Sequence, residues 1–351
     1  MLQPKLLFVG PDNNKGGIGA VLNVYSRYIK GYQLITTYPG DASTNKIIYF
    51  LKSLLLLLEL LIKDKSINIV HIHSASNGSF IRKSIVLLIT KTLKRKVILH
   101  IHGGSFKEYV ASSKIRSRYI LAILNMSDLV ICLSDEWESY FKNQLGLKSV
   151  KVLSNPIELP ELANRQKESE RLELLFLGAV VPAKGIFDLL EYLSRNKYFI
   201  AGRIRLHIGG EGDSHHLNTL LQKIGIIDGV VQYGWVENEE KLRLMNMADV
   251  FILPSHIEAL PMSILEAMSY AKPIISTNVG GIPSLVRDGY NGWLYDPSKI
   301  HQLDQVFDEI FSNKNKLQAY GNNSRAEAIK YDIRTVAAKL NSIYSDVLMF
   351  N

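Results

Sequence analysis

The sequence predicts an α/β protein built from two doubly wound, Rossmann-like domains. A chain of 351 residues is longer than a single hydrophobic core usually serves, which indicates two domains. Short apolar runs alternate with helical stretches along the whole chain, as expected for parallel sheets wrapped by helices. With 47% hydrophobic and 21% charged residues, the composition is that of a folded globular protein and excludes a disordered chain.

Twelve apolar runs predict the strands. In the first half they cover residues 5–9, 33–37, 68–73, 97–101, 129–133 and 150–153. The polar segment 155–170, which contains two prolines, predicts the linker between the domains. In the second half the runs cover residues 172–177, 205–208, 230–233, 250–253, 274–276 and 293–295. Doubly wound domains bind ligands at the carboxyl ends of their strands, so we expect a site in a cleft between the two domains.

Basic residues are concentrated in the first half of the chain. Residues 1–155 carry 21 Lys and Arg against 9 Asp and Glu, whereas residues 156–351 carry 20 against 24. A basic half favours an anionic partner, and without a recognition module or basic–aromatic interleaving we expect no nucleic acid. The stretch 83–96, apolar with a basic end, and the apolar stretch 47–62 favour peripheral contact with an anionic membrane surface. Ordinary core helices are the alternative for both, and 47–62 is too short to span a bilayer.

Two features bear on localisation. The single cysteine, Cys132, lies in an apolar strand, which excludes a disulfide framework and suits a reducing cytoplasm. Residues 1–10 already resemble a strand, so no signal peptide is expected.

The most informative motif is the segment 255–266, S-H-I-E-A-L-P-M-S-I-L-E. It follows an apolar run and predicts a strand, a short loop and a helix whose first residue is Pro261. Glu258 lies in the loop, and Glu266 lies in the helix about 7 Å further along, at about 1.5 Å per residue. Amides at the start of the helix can hold an anion, because the helix dipole is positive at that end. The residues expected to surround such an anion are Leu260, Pro261, Met262 and Ser263.

Glu258 and Glu266 together form the pattern E-x7-E, which resembles the signature of retaining glycosyltransferases of family 4, on the GT-B fold. A capped amphipathic helix with two surface glutamates would give the same pattern. Further motifs in the order of that family are F-L-G-A-V-V-P-A-K-G at 176–185, H-I-G-G-E-G-D at 207–213, P-I-I-S-T-N-V-G-G-I-P at 273–283 and D-G-Y-N-G-W-L at 288–294. The resemblance covers nearly the whole chain.

The resemblance implies a domain organisation. Residues 1–155 would form an acceptor-binding domain, and residues 156–332 a nucleotide-sugar-binding domain. Residues 333–351 would form a last helix that crosses back to the first domain.

The resemblance also implies roles for residues in these motifs. Glu266 would hold the ribose of the donor, Glu258 and His102 the donor sugar, and Lys184 the diphosphate. A lysine at a helix start is unfavourable for the helix dipole, which favours a ligand there over an ordinary solvent-facing lysine.

A glycine loop follows the first strand and precedes a predicted helix, 20–30. Gly17 in this loop allows a phosphate to approach the backbone closely, although ordinary strand–helix turns use glycine too. The spacing G-G-I-G differs from G-x-G-x-x-G, so we discount a nicotinamide cofactor. In the family this loop reaches toward donor and acceptor.

Two His-x-His pairs end strands, at His71 with His73 and at His100 with His102. Strand alternation places both members of a pair on one face. A zinc site would need further ligands, so packed histidines are favoured and no metal is expected. The absence of a D-x-D sequence also argues against a metal-bridged donor.

Two positions depart from the family pattern. Ala179 stands where relatives carry an arginine in G-R-x-x-x-x-K-G, and Ser284 stands where many carry an acidic residue after G-G-I-P. These departures put part of the diphosphate site in question.

The resemblance to family 4 implies a retaining hexosyltransferase, and no metal or other cofactor is expected. It would transfer a hexose or N-acetylhexosamine from a nucleotide sugar, a UDP-sugar in preference to a GDP-sugar. The acceptor would be a lipid-linked glycan or oligosaccharide, as in the assembly of capsule or lipopolysaccharide, at the inner face of the cell membrane. A sugar-nucleotide epimerase of the same fold and a non-catalytic transferase-like subunit are the alternatives.

Overall fold

The structure, a computed structural model, describes residues 5–12, 16–40, 43–162 and 171–349. The chain divides into two compact units, one formed by residues 1–157 with 331–351 and the other by residues 158–330. The predicted linker, 155–170, spans the boundary between them, and its residues 163–170 lie outside the described part of the chain.

Each unit contains a six-stranded parallel sheet. The strands of the first are β1 (Lys5–Gly10), β2 (Tyr32–Thr36), β3 (Ile67–Ser74), β4 (Lys96–Ile101), β5 (Leu129–Cys132) and β6 (Val150–Val152). Those of the second are β7 (Leu172–Leu177), β8 (Ile204–Gly209), β9 (Val230–Gly234), β10 (Val250–Leu253), β11 (Ile274–Thr277) and β12 (Gly292–Tyr295). All twelve predicted strands are therefore present, with ends within one residue of prediction.

Helices connect the strands. In the first half they are α1 (Gly17–Tyr28), α2 (Lys46–Lys63), α3 (Gly78–Thr92), α4 (Phe106–Ala111), α5 (Lys114–Met126) and α6 (Asp135–Ser139). In the second half they are α7 (Ile186–Leu193), α8 (Lys197–Ile200), α9 (Ser214–Ile224), α10 (Asn238–Met247), α11 (Met262–Ser269), α12 (Leu303–Ser312), α13 (Asn315–Ala328) and α14 (Ile333–Met349). The first helix begins at Gly17, three residues before its predicted start, and Gly16 is its N-cap.

The strand orders are β2-β1-β3-β4-β5-β6 and β12-β11-β10-β7-β8-β9. Both sheets are doubly wound, because the chain leaves a central strand toward one edge and later returns to extend the sheet on the other side. The apolar residues of the central strands β1, β3, β4, β7 and β10 are buried on both faces, as parallel sheets covered by helices require, whereas the edge strands β2 and β9 are partly exposed. The predicted α/β class with two Rossmann-like domains is confirmed.

The last helix, α14, belongs to the first unit and packs against α1. Its buried residues follow one side of the helix, at Ile333, Val336, Leu340, Ile343, Tyr344 and Val347. Where the chain re-enters this unit, the amide of Ile333 donates to the carbonyl of Ile157 at 2.9 Å. Among the helices of the described ranges, none is both long and apolar enough to cross a bilayer.

Candidate functional site

The second sheet has its topological switch point between β7 and β10. From β7 the chain extends the sheet through β8 and β9, whereas β10, β11 and β12 lie on its other side. The loops after β7 and β10 run in opposite directions, so a crevice forms between them at the carboxyl ends of the strands. Doubly wound sheets bind ligands in this crevice. Lys184 follows β7 and Glu258 follows β10, so both lie at this point.

The loops after β7 and β10 are in direct contact. Gly185 has a left-handed φ of 66°, and a Cβ at this position would lie 1.9 Å from the carbonyl oxygen of Pro254. The amide of His256 donates to the carbonyl of Ala183 at 2.9 Å. Only glycine allows this approach, so the backbone itself holds Lys184 beside the loop that carries Glu258.

Lys184 and Glu258 form a partly buried ion pair. The ammonium of Lys184 lies 2.5 Å from Oε1 of Glu258, and the Ser255 hydroxyl donates to the same oxygen at 2.8 Å. The Glu258 side chain is 8% exposed and that of Lys184 is 28% exposed. A carboxylate this buried needs a charged partner, and Lys184, 74 positions away, supplies it.

A third loop, after β11, fixes the other side of the Glu258 segment. Gly280 has a φ of 52°, and a Cβ there would lie 1.9 Å from the carbonyl oxygen of Glu258. The Thr277 hydroxyl donates to the carbonyl of Ser255 at 2.5 Å. Glu258 is therefore positioned by backbone packing from two directions.

Helix α11 begins at Met262, directly after this loop. The prediction that Pro261 is the first helical residue was wrong by one position, because its ψ of 121° keeps it extended as the N-cap. Leu260, Pro261 and Met262 are buried and Ser263 is half-buried. The first amides of a helix have no acceptor within it, so this end of α11 offers hydrogen-bond donors beside Glu258.

Glu266, on α11, is paired with Lys241 of α10. The Lys241 ammonium lies 2.8 Å from Oε1 of Glu266, and both side chains are partly exposed. Nothing in the sequence singles out Lys241, which lies in an ordinary charged helix.

In the first unit the four histidines form one stacked cluster. The rings of His100 and His102 are 4.0 Å apart, and those of His71 and His73 are 4.4 Å apart. His73 Nδ1 and His102 Nε2 share a hydrogen bond of 2.9 Å, and His71 Nδ1 bonds the Tyr344 hydroxyl at 2.7 Å. His102, just past β4, is the most exposed of the four.

Burial keeps these histidines neutral. It lowers the pKa of His71 and of His102 to about 3, and it holds the pKa values of His73 and His100 well below 6.5. Nitrogen atoms of His71, His73 and His100 lie within 4.8 Å of one another, so these three could hold a metal ion. The four rings pack against one another, and the expectation that they hold no metal stays a prediction.

Gly17 is the first residue of α1 and is exposed. It lies past the carboxyl end of β1, as His102 lies past that of β4. Residues 13–15 of the predicted glycine loop lie outside the described residues.

Two family profiles match consecutive parts of this chain. The profile described as Glycosyltransferase Family 4 matches residues 29–160, and that described as Glycosyl transferases group 1 matches residues 160–327. The chain belongs to glycosyltransferase family 4.

Relatives of this family 4 chain include an uncharacterized glycosyltransferase of Methanocaldococcus jannaschii, MJ1178, which is 25% identical over 82% of this chain and 78% of its own length. The putative colanic acid biosynthesis glycosyltransferase WcaL of Salmonella typhimurium is 26% identical over 60% of this chain and 54% of its own. The structure of Anabaena Alr3699/HepE in complex with UDP-glucose matches 97% of this chain and 99% of that chain, with a TM-score of 0.78 and 18% identity. The fold is therefore GT-B.

The two departures from the family 4 pattern have different surroundings. Ala179 is exposed in the loop after β7, where its methyl group offers no charge. The Ser284 hydroxyl donates to the carbonyl of Gly281 at 2.6 Å and so closes the short 3-10 turn Ile282–Ser284.

Three lysines of the stretch 83–96 are buried or paired. Lys83 is 2% exposed and donates to the carbonyl of Gly10 at 3.3 Å. Lys91 and Lys96 both pair with Asp128, at 2.9 and 3.6 Å. Lys94 is exposed, so membrane contact through the basic end of this stretch stays a prediction.

Proposed function

We propose that this family 4 glycosyltransferase transfers a hexose or N-acetylhexosamine from a UDP-sugar to a lipid-linked glycan, with retention of anomeric configuration and without a metal ion. The observation that carries the proposal is the Lys184–Glu258 pair at the switch point, next to the start of α11. It places a cation, a carboxylate and backbone amides together, as a diphosphate joined to a sugar requires.

Relatives support the donor and the product class. Anabaena Alr3699/HepE was solved with UDP and with UDP-glucose, and WcaL is described as a putative colanic acid biosynthesis enzyme. We extend a UDP-sugar donor and a polysaccharide product to this chain on that basis.

In the proposed complex each polar group of the site binds a defined part of the donor. An ammonium has three N–H donors, so Lys184 can keep its bond to Glu258 and still donate to the diphosphate. The second carboxylate oxygen of Glu258 would accept a hydrogen bond from a sugar hydroxyl, and Glu266 would accept a hydrogen bond from a ribose hydroxyl. The amides at the start of α11 would take the remaining charge as the leaving group forms.

The proposed step follows from family resemblance. The acceptor oxygen attacks the anomeric carbon on the face from which the diphosphate departs. The bond between that carbon and the phosphate oxygen breaks, the new glycosidic bond forms, and the acceptor proton passes to the diphosphate. His102, kept neutral by burial, would hold the sugar by a hydrogen bond and need not titrate.

A panel of UDP- and GDP-sugars, assayed for release of nucleoside diphosphate with and without lipid-linked acceptor, tests the proposal. We expect release from a UDP-sugar that depends on acceptor, and a product of unchanged anomeric configuration by NMR. Glu258→Gln should abolish most release, while the exposed Glu239→Gln should not. Chelator should leave the rate unchanged.

The alternatives give different results in the same assay. An epimerase would change the donor sugar without acceptor. A non-catalytic subunit would release nothing from any donor, and that result would refute the proposal.

A further inference from the structure

The first unit exposes large apolar side chains on three adjoining helices. On α2 they are Ile47, Ile48, Leu51, Leu55, Leu56 and Ile62; on α3 they are Ile81, Ile85 and Leu88; on α5 they are Ile115, Tyr119 and Met126. Single exposed apolar residues are ordinary, but a group on neighbouring elements marks an interaction surface.

On α2 and on α3, exposed apolar residues are spaced so that they lie along one side of each helix. Ile48, Leu51 and Leu55 follow one side of α2 at i, i+3 and i+7, and Ile81, Ile85 and Leu88 follow α3 at i, i+4 and i+7. The opposite side of α2 carries the core residues Ser53, Leu57 and Leu61. Both sides of the helix are therefore apolar, and only one is covered by the protein.

The three helices lie on the same face of the sheet. The connections β2 to β3, β3 to β4 and β4 to β5 all cross the sheet in one direction, and right-handed crossovers then share a face. Helices α2 and α3 are in contact, and Phe80 of α3 packs edge-on against Tyr119 of α5 with ring centroids 6.2 Å apart. We name this surface the α2–α3–α5 face.

Exposed basic residues accompany the apolar ones. Lys46 and Lys52 lie on α2, and Lys114, Arg116 and Arg118 lie on α5. Ile115, at 80% exposure, stands directly between Lys114 and Arg116. The acidic residue on the outer side of α2, Glu59, is paired with Lys63 at 2.6 Å.

The face reaches the functional edge of the unit. Helices α2, α3 and α5 follow β2, β3 and β4, so they start at the carboxyl ends of the strands, the edge where Gly17 and His102 lie. The exposed residues Ile47, Ile81 and Ile115 belong to these first turns.

We propose that the α2–α3–α5 face docks on an anionic lipid bilayer, with its apolar side chains at the boundary of headgroups and acyl chains and its basic side chains on lipid phosphates. A second copy of this chain is the poorer occupant, because it would bring two basic faces together. Docking here would present the unit's functional edge to a lipid-linked acceptor, a purpose that rests on the proposed function.

Flotation with phosphatidylcholine vesicles, with and without phosphatidylglycerol, tests the docking face. The parent should bind anionic vesicles, less tightly as salt rises. Replacing Lys114, Arg116 and Arg118 by Ser should weaken that binding about 100-fold, at roughly fivefold for each basic residue. The triple variant Ile47→Ser, Leu51→Ser, Leu55→Ser should reduce binding at every salt concentration.

A matched control triple, Ile200→Ser, Ile227→Ser, Ile329→Ser, removes exposed apolar residues from the second unit and should bind like the parent. The docking face is wrong if the parent does not float, if the α2 triple floats like the parent, or if the control loses binding equally. A parent dimer that the α2 triple dissociates, without vesicle binding, would instead make the face a self-association surface.

Titration of UDP into each soluble protein separates the two proposals. All variants should bind UDP like the parent. A parent that floats but binds no UDP would refute the proposed donor and leave the docking face standing, while the reverse result would refute only the docking face.

Discussion

The two units carry polar groups at the same edge of their sheets, but the groups differ in charge. In the second unit this edge holds the ion pairs Lys184–Glu258 and Lys241–Glu266. In the first unit it holds four stacked histidines whose pKa values burial lowers far below neutrality. The second edge is therefore equipped to hold a charged ligand, and the first to offer uncharged hydrogen bonds beside an apolar face.

The contrast also concerns how each edge is kept in place. Loop glycines let three backbones meet around Glu258, so charge is positioned by main-chain contact. The histidines are positioned by their neighbours' rings and by Tyr344 of α14. The four predictions that follow test this contrast, beginning with the largest effect.

The first unit should lose stability in mild acid. Histidines titrate near 6.5 in an unfolded chain, whereas burial lowers the pKa of His71 and His102 to about 3. Between those values the unfolded chain binds protons that the folded unit excludes, so the free energy of unfolding is full above 6.5 and falls as the pH falls toward 3. Each such histidine contributes about 1.4 kcal/mol per pH unit.

Hydrogen exchange of β3 and β4 peptides, measured from about pH 7 down to about pH 5 and corrected for intrinsic exchange, reports this loss. His73→Asn should reduce the pH slope by about one proton, and the exposed His215→Ala should not change it. A pH-independent stability of these peptides would contradict neutral packing of the cluster.

Removing the ammonium from the second edge should have the next largest effect. One electrostatic donor in a water-poor site contributes about 2–4 kcal/mol to the transition state, so Lys184→Ala should lower kcat/KM by roughly 30- to 1000-fold. Lys197→Ala removes an exposed lysine of the same unit and serves as the control. Equal UDP affinity of Lys184→Ala and the parent, by titration calorimetry, would show that the diphosphate binds elsewhere.

Lys83 is a buried amine in the first unit, whose functional edge is otherwise built from uncharged histidines, so its removal tests the contrast between the two edges. Burial lowers the pKa of Lys83 to about 7, so between 10.5 and 7 the unfolded chain binds a proton that the folded chain does not. Its burial penalty is absent above pH 10.5, grows as the pH falls, and is complete below 7. Lys83→Met should raise the free energy of unfolding by about 1–3 kcal/mol at neutral pH.

Urea unfolding at neutral and alkaline pH measures this gain, which should shrink as the pH rises. Lys52→Met, at an exposed position on α2, should change little. A destabilised Lys83→Met would mean that the bond to Gly10 outweighs the cost of burying the amine.

Adding charge to the second edge should give the smallest effect. Ala179→Arg supplies a guanidinium near Lys184, and one added charge-assisted bond on an exposed loop should tighten UDP binding about three- to tenfold. Ala201→Arg, exposed in the same unit, is the control. Affinity that falls or stays constant would show that this loop does not face the diphosphate.

The fold was predictable because its strands are continuous apolar runs. A strand that is buried on both faces appears in the sequence as a run of apolar residues, which can be recognised without knowing the neighbouring strands. The strands 172–177 and 250–253 are examples, and their bounds match the prediction. The end of a strand or helix is set by backbone geometry, which explains the one-residue error at Pro261.

The contacts within the candidate site could be predicted only where its groups are close in sequence. Segment 255–266 contains Glu258, Glu266 and the helix start within twelve positions, whereas the partners Lys184 and Lys241 come from other strands' connections. Their pairing depends on the strand order, which a local pattern does not contain.

One lysine of the stretch 83–96 lies in the core, and the sequence held a usable signal for it. Phe80, Lys83, Ser84 and Leu87 are spaced i, i+3, i+4 and i+7, which places Lys83 on the buried side of α3. A count of charges alone does not separate this core lysine from the basic end of the stretch at residues 91–96.

Helix α14 gives the protein an unusual order of assembly. The first unit lacks its last helix, and the tyrosine that bonds His71, until residues 158–330 have been synthesised. At about 5–20 residues per second, a ribosome leaves the nascent first unit incomplete for roughly ten to thirty seconds while the whole second unit emerges. The domain translated first is thus the domain completed last, and until then the surface of α1 that α14 covers stays exposed on the nascent chain.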